Sequence, residues 1–192
     1  MPITHTNRTG RTYYLHTGPK RGSGVQYYFS MEAKGSLAEA VPPGFEIYES
    51  MQGQVFLRRK RPKLIHEDET ASIAREIERV RCENLYKIEI RDKSITIFES
   101  SSGLDRLADF APFLSPPKSL AAKRALQERF ASYQAVMRFV LTDREHRLFT
   151  PERFCFRGSV DDWISIGPPE PLKKLASKYV KHLGRESLYE LY

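Results

Sequence analysis

Thr12-Tyr-Tyr-Leu-His16, Gly18-Pro-Lys-Arg-Gly-Ser-Gly24 and Val25-Gln-Tyr-Tyr-Phe29 follow one another near the start of the chain. The outer segments are aromatic and β-branched, and the middle one is punctuated by glycine and proline. That pattern reads as a β-hairpin with a glycine-rich tip. Phe45-Glu-Ile-Tyr-Glu49 and Val55-Phe-Leu-Arg58 read as a second hairpin around Met51-Gln-Gly-Gln54. Between the hairpins, residues 37–41 read as a short helical turn stopped by Pro42-Pro43-Gly44.

The period changes further along. Ile73, Ile77 and Val80 recur at helical spacing, so residues 68–82 are expected to form an amphipathic helix capped by Asp68 or Thr70. Leu85–Ile90 and Ser94–Phe98 flank Asp92-Lys93 as a third hairpin. A loose segment holding Leu104, Leu107, Phe110 and Phe113 precedes a second expected helix over 118–133, with Ala122, Leu126, Phe130 and Tyr133 as its apolar stripe. Residues 135–141 and 153–157 read as strands, with a turn at Asp143-Arg-Glu-His146. Pro168-Pro169 opens a third helix, 171–183, closed by Gly184. Strands arrive in hairpins and helices fall between groups of them. The expected class is therefore α+β with antiparallel strands and about three helices, not a doubly wound parallel sheet.

The composition supports a packed fold and excludes wholesale disorder: 40% of the 192 residues are hydrophobic and 11% aromatic. Two cysteines, Cys82 and Cys155, cannot build a disulfide framework or a four-thiolate zinc site. The start, Met1-Pro-Ile-Thr-His5, lacks the basic-then-apolar pattern of a secretory signal, and no stretch is apolar enough for a membrane helix. These features point to a reduced, cytoplasmic protein with no membrane partner.

The formal charge is +7, from 31 Lys+Arg against 24 Asp+Glu, and it is unevenly placed. Residues 1–63 hold 10 basic and 4 acidic residues, a net of +6; residues 64–192 hold 21 and 20, a net of +1. This divides the chain into a basic β-rich subdomain, 1–63, and an α+β subdomain, 64–192. A basic surface favours anionic partners.

Strand alternation sorts the first subdomain into two faces. Tyr13, Leu15, Val25, Tyr27, Phe29, Phe45, Ile47, Val55 and Leu57 form the expected core face. Tyr14, His16, Gln26, Tyr28, Glu46, Tyr48, Phe56 and Arg58 form the other. Aromatics stack on bases and cations neutralise phosphates, so this second face suits DNA or RNA. Its expected contacts are Tyr14, Tyr28 and Tyr48, with Lys20 and Arg21 at the hairpin tip and Arg58, Arg59, Lys60, Arg61 and Lys63 beyond it. The competing reading buries this face against the rest of the protein, and treats the basic run as the charged end of an edge strand. The glycine-rich tip is not a nucleotide-binding loop, because a strand rather than a helix follows it and Lys20 precedes the second glycine.

A second cationic feature is the stripe Lys174, Lys178, Lys181 and Arg185 on the last helix, with Leu172, Leu175, Ala176, Tyr179 and Leu183 opposite it. Lys118, Lys123, Arg124 and Arg129 make the second expected helix basic in part. Such stripes either meet a phosphate backbone or keep a helix solvated.

Catalytic chemistry finds little to stand on. Cys155 lies between Arg153 and Arg157, which favours a thiolate, and His146 and Asp161 are the nearest partners for an atypical enzyme. Placed between Phe154 and Phe156, Cys155 reads better as structural. Glu145, His146, Asp161 and Asp162 do not have metal-ligand spacing, and no two of the five histidines lie four apart. Asp161-Asp162 reads as a turn or cap before Trp163, which reads as a core anchor. No catalytic residue, metal or cofactor is assigned. The leading expectation is a non-enzymatic nucleic-acid-binding protein. The alternative is an interaction module that binds an acidic protein or a second copy of itself.

Overall fold

A computed structural model describes residues 1–19, 22, 24–80, 86–100, 129, 131–157 and 160–191. The expected α+β class holds: the described residues are mainly antiparallel sheet with two α-helices. The expected helix over 118–133, with its basic and apolar residues, falls almost wholly outside the described residues. Arg129 is helical there, but Tyr133 already belongs to a strand. Among the described residues the expected count of about three helices is thus not reached. The chain divides into two compact units, one of Met1–Arg61 with Leu104–Ser132 and the other of Pro62–Gly103 with Tyr133–Tyr192.

The first unit holds two small sheets. Strands β1 (Thr4–Thr6), β2 (Thr12–Pro19) and β3 (Val25–Ser30) form one, in that order, and β4 (Phe45–Glu49) pairs with β5 (Val55–Arg59) in the other. The two expected hairpins exist, but they do not join into a single sheet. In β2 and β3, Leu15 faces Phe29 and Thr17 faces Tyr27. In β4 and β5, Ile47 faces Leu57 and Tyr48 faces Phe56. Within each hairpin these registers give the two faces that strand alternation predicts. Leu15 and Val55 are buried, as is Ala38 from the following segment.

Residues 37–41 are not helical, which corrects the expected turn. Ala38 N–H donates to Leu15 O (2.8 Å) and Ile3 N–H to Ala38 O (2.9 Å), while Leu37 bridges His16. The segment lies beside β2, where its backbone groups gain sheet partners that an isolated helical turn of this length could not supply.

The second unit is an antiparallel sheet with helices on one face. Its strands are β6 (Tyr86–Arg91), β7 (Ser94–Ser100), β8 (Tyr133–Asp143), β9 (Leu148–Arg157) and β10 (Val160–Ser165), in the order β10-β9-β8-β7-β6. The short β11 (Glu170–Pro171) pairs with the start of β9. The two-residue turn at Asp92-Lys93 is as expected, with Asp92 at φ 54°, a conformation that short polar side chains tolerate. Asp161 and Asp162 lie in β10, opposite Phe156 and Cys155, and not in a turn or cap.

Helix α1 (Glu67–Arg79) starts one residue before the expected 68 and ends short of 82. His66, rather than Asp68 or Thr70, holds the cap position, and its N–H donates to Glu69 Oε2 at 2.8 Å. Helix α2 (Leu172–Tyr179) passes into a 3₁₀ turn, Val180–His182, and Gly184 ends the segment at φ 69°. Leu172, Leu175, Ala176, Tyr179, Val180 and Leu183 pack with Ile73 of α1 on Ile95, Ile97, Met137, Phe139, Leu141 and Phe149 of the sheet. A fully buried side chain of this size contributes about 1.5–3 kcal/mol, so this layer is the main source of the unit's stability. The Tyr179 hydroxyl donates to Ile166 O at 2.9 Å, and a Cβ at Gly167 would fall onto that hydroxyl. No described helix is long and apolar enough to cross a membrane.

Candidate functional site

The basic surface of the first unit starts from β3. Tyr28 is 45% exposed and stacks on His16, with ring centroids 5.3 Å apart and planes 13° from parallel. His16 is only 4% exposed, and its Nε2–H donates to Glu32 O at 2.9 Å. A buried, anchored imidazole thus backs an exposed phenol ring, whose outer edge stays available. Phe56 on β5 is similarly exposed, at 46%. Tyr14 and Tyr48, expected to share this role, are half-buried.

The cations behave unequally. Arg58 donates to Glu46 Oε1 at 2.8 Å and lies 4.1 Å over the Tyr48 ring, so its charge is already balanced inside the hairpin. This follows from register, since Glu46 and Arg58 are directly opposite. Arg59, on the other face, lies 5.9 Å over Phe45 and is exposed. Lys60 and Arg61 follow, both exposed. Lys63 is exposed but belongs to the second unit. Lys20 and Arg21 lie outside the described residues. Of the expected contacts, Tyr28, Arg59, Lys60 and Arg61 are thus exposed in the first unit, and Arg58 is half-buried against Glu46 and Tyr48.

Sequence reasoning missed a further cationic feature, in the first unit. Arg8, Thr9, Gly10 and Arg11, in the turn between β1 and β2, line an open cleft of about 450 Å3 together with Gln52, Arg129, Ala131 and Ser132. Asn7, 5% exposed, organises this turn. Its Oδ1 accepts from Thr9 N–H (3.1 Å), Thr9 Oγ1–H (2.8 Å) and Arg11 N–H (2.9 Å), and its Nδ2 donates to Gly53 O (2.5 Å). Arg8 N–H donates to Glu49 Oε1 at 2.9 Å, and the His5 ring nitrogen reaches the other oxygen of Glu49 at 2.9 Å. Arg8 Nη2 donates to Ala131 O at 2.8 Å, and Arg129 Nε to Thr9 O at 3.0 Å. Asn7-Arg-Thr-Gly-Arg11 carries a turn signal with two arginines, which was legible. Arg129 joins it across 118 residues, for which the sequence offers no local cue.

In the second unit, Lys174, Lys178, Lys181 and Arg185 are all exposed, and the expected apolar face opposite them is buried. The stripe is not one continuous helix, because α2 ends at Tyr179 and Arg185 follows Gly184. Lys174 pairs with Glu170 at 3.1 Å.

The residues considered for catalysis are not brought together. Cys155 is buried on the sheet face that carries Arg153, whose Nε and Nη2 donate to Leu191 O (3.0 Å) and Tyr189 O (3.1 Å). His146 is exposed in the turn before β9 and bonds Asp143 at 2.8 Å. Its backbone N–H, and then its ring, hold the Asp143 carboxyl below the ordinary carboxylate range. Cys155 lies seven positions beyond Leu148 along β9, roughly 23 Å of strand. Asp161 pairs with Phe156, one position from Cys155, and its side chain points to the opposite face. Trp163 packs edge-on against Phe154 at 5.2 Å, beneath the Arg138 guanidinium at 4.3 Å. Among the described residues, no three His, Cys, Asp or Glu side chains cluster as metal ligands would.

Comparison of the chain with protein-family models, with curated proteins and with solved structures finds no match.

Proposed function

We propose that this is a non-enzymatic protein that binds DNA or RNA through the basic surface of its first unit. The observation that carries the reading is the +6 net charge of residues 1–63, with Arg59, Lys60 and Arg61 exposed on the unit that also exposes Tyr28 and Phe56. Exposed rings offer stacking surfaces and the cations offer phosphate contacts, the pairing that single-stranded nucleic acids require. Lys63, Lys20 and Arg21 extend the basic set in sequence, as do Lys118, Lys123 and Arg124. The stripe Lys174, Lys178, Lys181 and Arg185 is a secondary backbone contact. The compartment that suits such a ligand and two cysteines is the cytoplasm.

The test is fluorescence anisotropy with labelled single-stranded and duplex DNA and RNA at low salt. Each phosphate contact predicts a salt slope of about −0.7 for single strands. The triple variant Arg59→Ala/Lys60→Ala/Arg61→Ala is expected to weaken binding and flatten that slope by about 2. No binding to any of these at low salt removes the proposal.

A second reading has its own observation. Strand β3 is an edge of its sheet, and Val25, Tyr28 and Met31 on or just after it are exposed. An edge with exposed apolar side chains suits a partner strand, from a second copy or an acidic protein. The native mass discriminates: a dimer that forms without nucleic acid and is broken by Val25→Lys favours this reading.

A further inference from the structure

We propose that β3 is the seam of a homodimer, in which two copies pair β3 antiparallel about a two-fold axis at Tyr28. The proposal rests on the edge-pairing reading of β3 and commits it to one partner and one register.

The backbone of β2 fixes which groups of β3 are open. Leu15 N–H donates to Ile3 O at 3.0 Å, Thr17 N–H to Ser36 O at 2.8 Å, and Leu15 O accepts from Ala38 N–H at 2.8 Å. Leu15 and Thr17 thus turn their backbone groups away from β3, and alternation leaves His16 to exchange bonds with Tyr28. In β3, Tyr28 therefore bonds toward β2, whereas the N–H and C=O groups of Val25, Tyr27 and Phe29 point to the outer side. Among the described residues none of these outer groups has a backbone partner, and β3 ends its sheet. Strand β5 comes near β3 without joining its ladder.

This edge is also undefended. Gly22 to Met31 is ten residues without a charge or a proline, in a chain of which 29% is charged. The outer strands of the second unit's sheet differ: β6 carries Lys87, Glu89 and Arg91, and β10 carries Asp161 and Asp162. Charges and prolines keep edges apart, and β3 has neither.

Spacing selects a second copy as the partner. Val25 and Met31 are exposed and lie three residues either side of Tyr28, itself exposed. A two-fold axis at Tyr28 sets Val25 opposite Met31 of the second copy at both ends of the seam, with the two Tyr28 side chains opposed in the middle. The same register pairs Tyr27 with Phe29 of the second copy, so outer backbone groups meet outer backbone groups. An axis at Tyr27 satisfies the backbone equally but sets Met31 past the end of the partner strand. One strand on one strand buries less than the about 1,200 Å2 of a standard interface, so the dimer is expected at micromolar concentrations.

Sedimentation velocity of the nucleic-acid-free protein from about 1 to about 200 μM, with cysteine cross-linking by diamide, tests this. Tyr28 falls in a pair whose Cα atoms are about 4.5 Å apart, within disulfide reach, so Tyr28→Cys is expected to cross-link to itself. Gln26→Cys alone is expected not to, but to cross-link when mixed with Ser30→Cys, because Gln26 faces Ser30 across the seam. Val25→Lys is expected to weaken the dimer at least about tenfold, and adding Met31→Glu to restore it, which keeps the test if the tyrosine variant folds poorly. Cross-linking of Gln26→Cys to itself, without that of Tyr28→Cys, overturns the axis at Tyr28 and leaves pairing at this edge standing. A dimer that Val25→Lys does not weaken and that none of these cysteines traps overturns the edge reading as well. A monomer throughout the range overturns the second copy as partner and leaves the edge to an acidic protein.

Discussion

Asn7→Ala puts the organisation of the cationic turn at risk with one substitution. The side chain makes four hydrogen bonds and is nearly buried. Arg11 is exposed, so its freed N–H regains water at little cost. Thr9 is half-buried and recovers less. Gly53 is buried, so its carbonyl loses the Nδ2 donor and is left without a replacement. A net bond is worth about 0.5–1.5 kcal/mol and an orphaned buried acceptor costs about 1–3 kcal/mol, so the expected loss is about 3 kcal/mol. In urea, with a slope of about 2 kcal/mol/M, the midpoint of the first unit falls by about 1.5 M. Thr9→Val removes only the hydroxyl bond and is expected to cost about 1 kcal/mol. Circular dichroism during urea unfolding measures both. A loss below about 0.5 kcal/mol for Asn7→Ala, or a Thr9→Val loss as large, would refute the argument that Asn7 builds the turn.

Three further outcomes follow from single contacts. Glu46→Gln releases Arg58 from its ion pair and is expected to raise nucleic-acid affinity and steepen the salt slope by up to about 0.7, read by anisotropy. Arg153→Met removes both bonds to the Tyr189 and Leu191 carbonyls, at an expected cost of about 2–3 kcal/mol, and should loosen the segment that carries the already exposed Tyr189, read as faster chymotryptic cleavage there. Burial, and then the charges of Lys181 and Arg185, hold the His182 pKa below its ordinary 6.5. The unfolded chain therefore takes up the proton first, and stability is lost as pH falls from about 6.5 toward the lower folded value. His182→Gln is expected to shrink the drop in melting temperature between about pH 7.5 and about pH 5.5.

Local pattern carried much of the fold. Alternation in Thr12–His16 and Val25–Phe29 sorts side chains into the two faces that the pairing of Leu15 with Phe29 and His16 with Tyr28 realises. The apolar face of the last helix was equally legible, because Leu172, Leu175, Ala176 and Tyr179 recur at its period. What escaped depends on partners far away in the chain. Residues 37–41 have helical composition, yet Leu15 and Ile3 offer them sheet partners. Asp161-Asp162 resembles a cap, yet β9 is long enough to pair with them. The aromatic face was found, but its exposure was not: alternation sorts sides without saying which residues of a side end up covered, and Tyr14, His16 and Tyr48 are less open than Tyr28. The cleft was invisible for the same reason, since Arg129 and the Asn7 turn meet only once the chain has folded.

Photo-cross-linking the protein to an oligonucleotide and mapping the attached peptides tests the nucleic-acid reading most directly. The account predicts adducts on peptides of the first unit containing Tyr28, Phe56 and the Arg59–Arg61 run. Adducts confined to residues 133–191, or none at low salt, would contradict it.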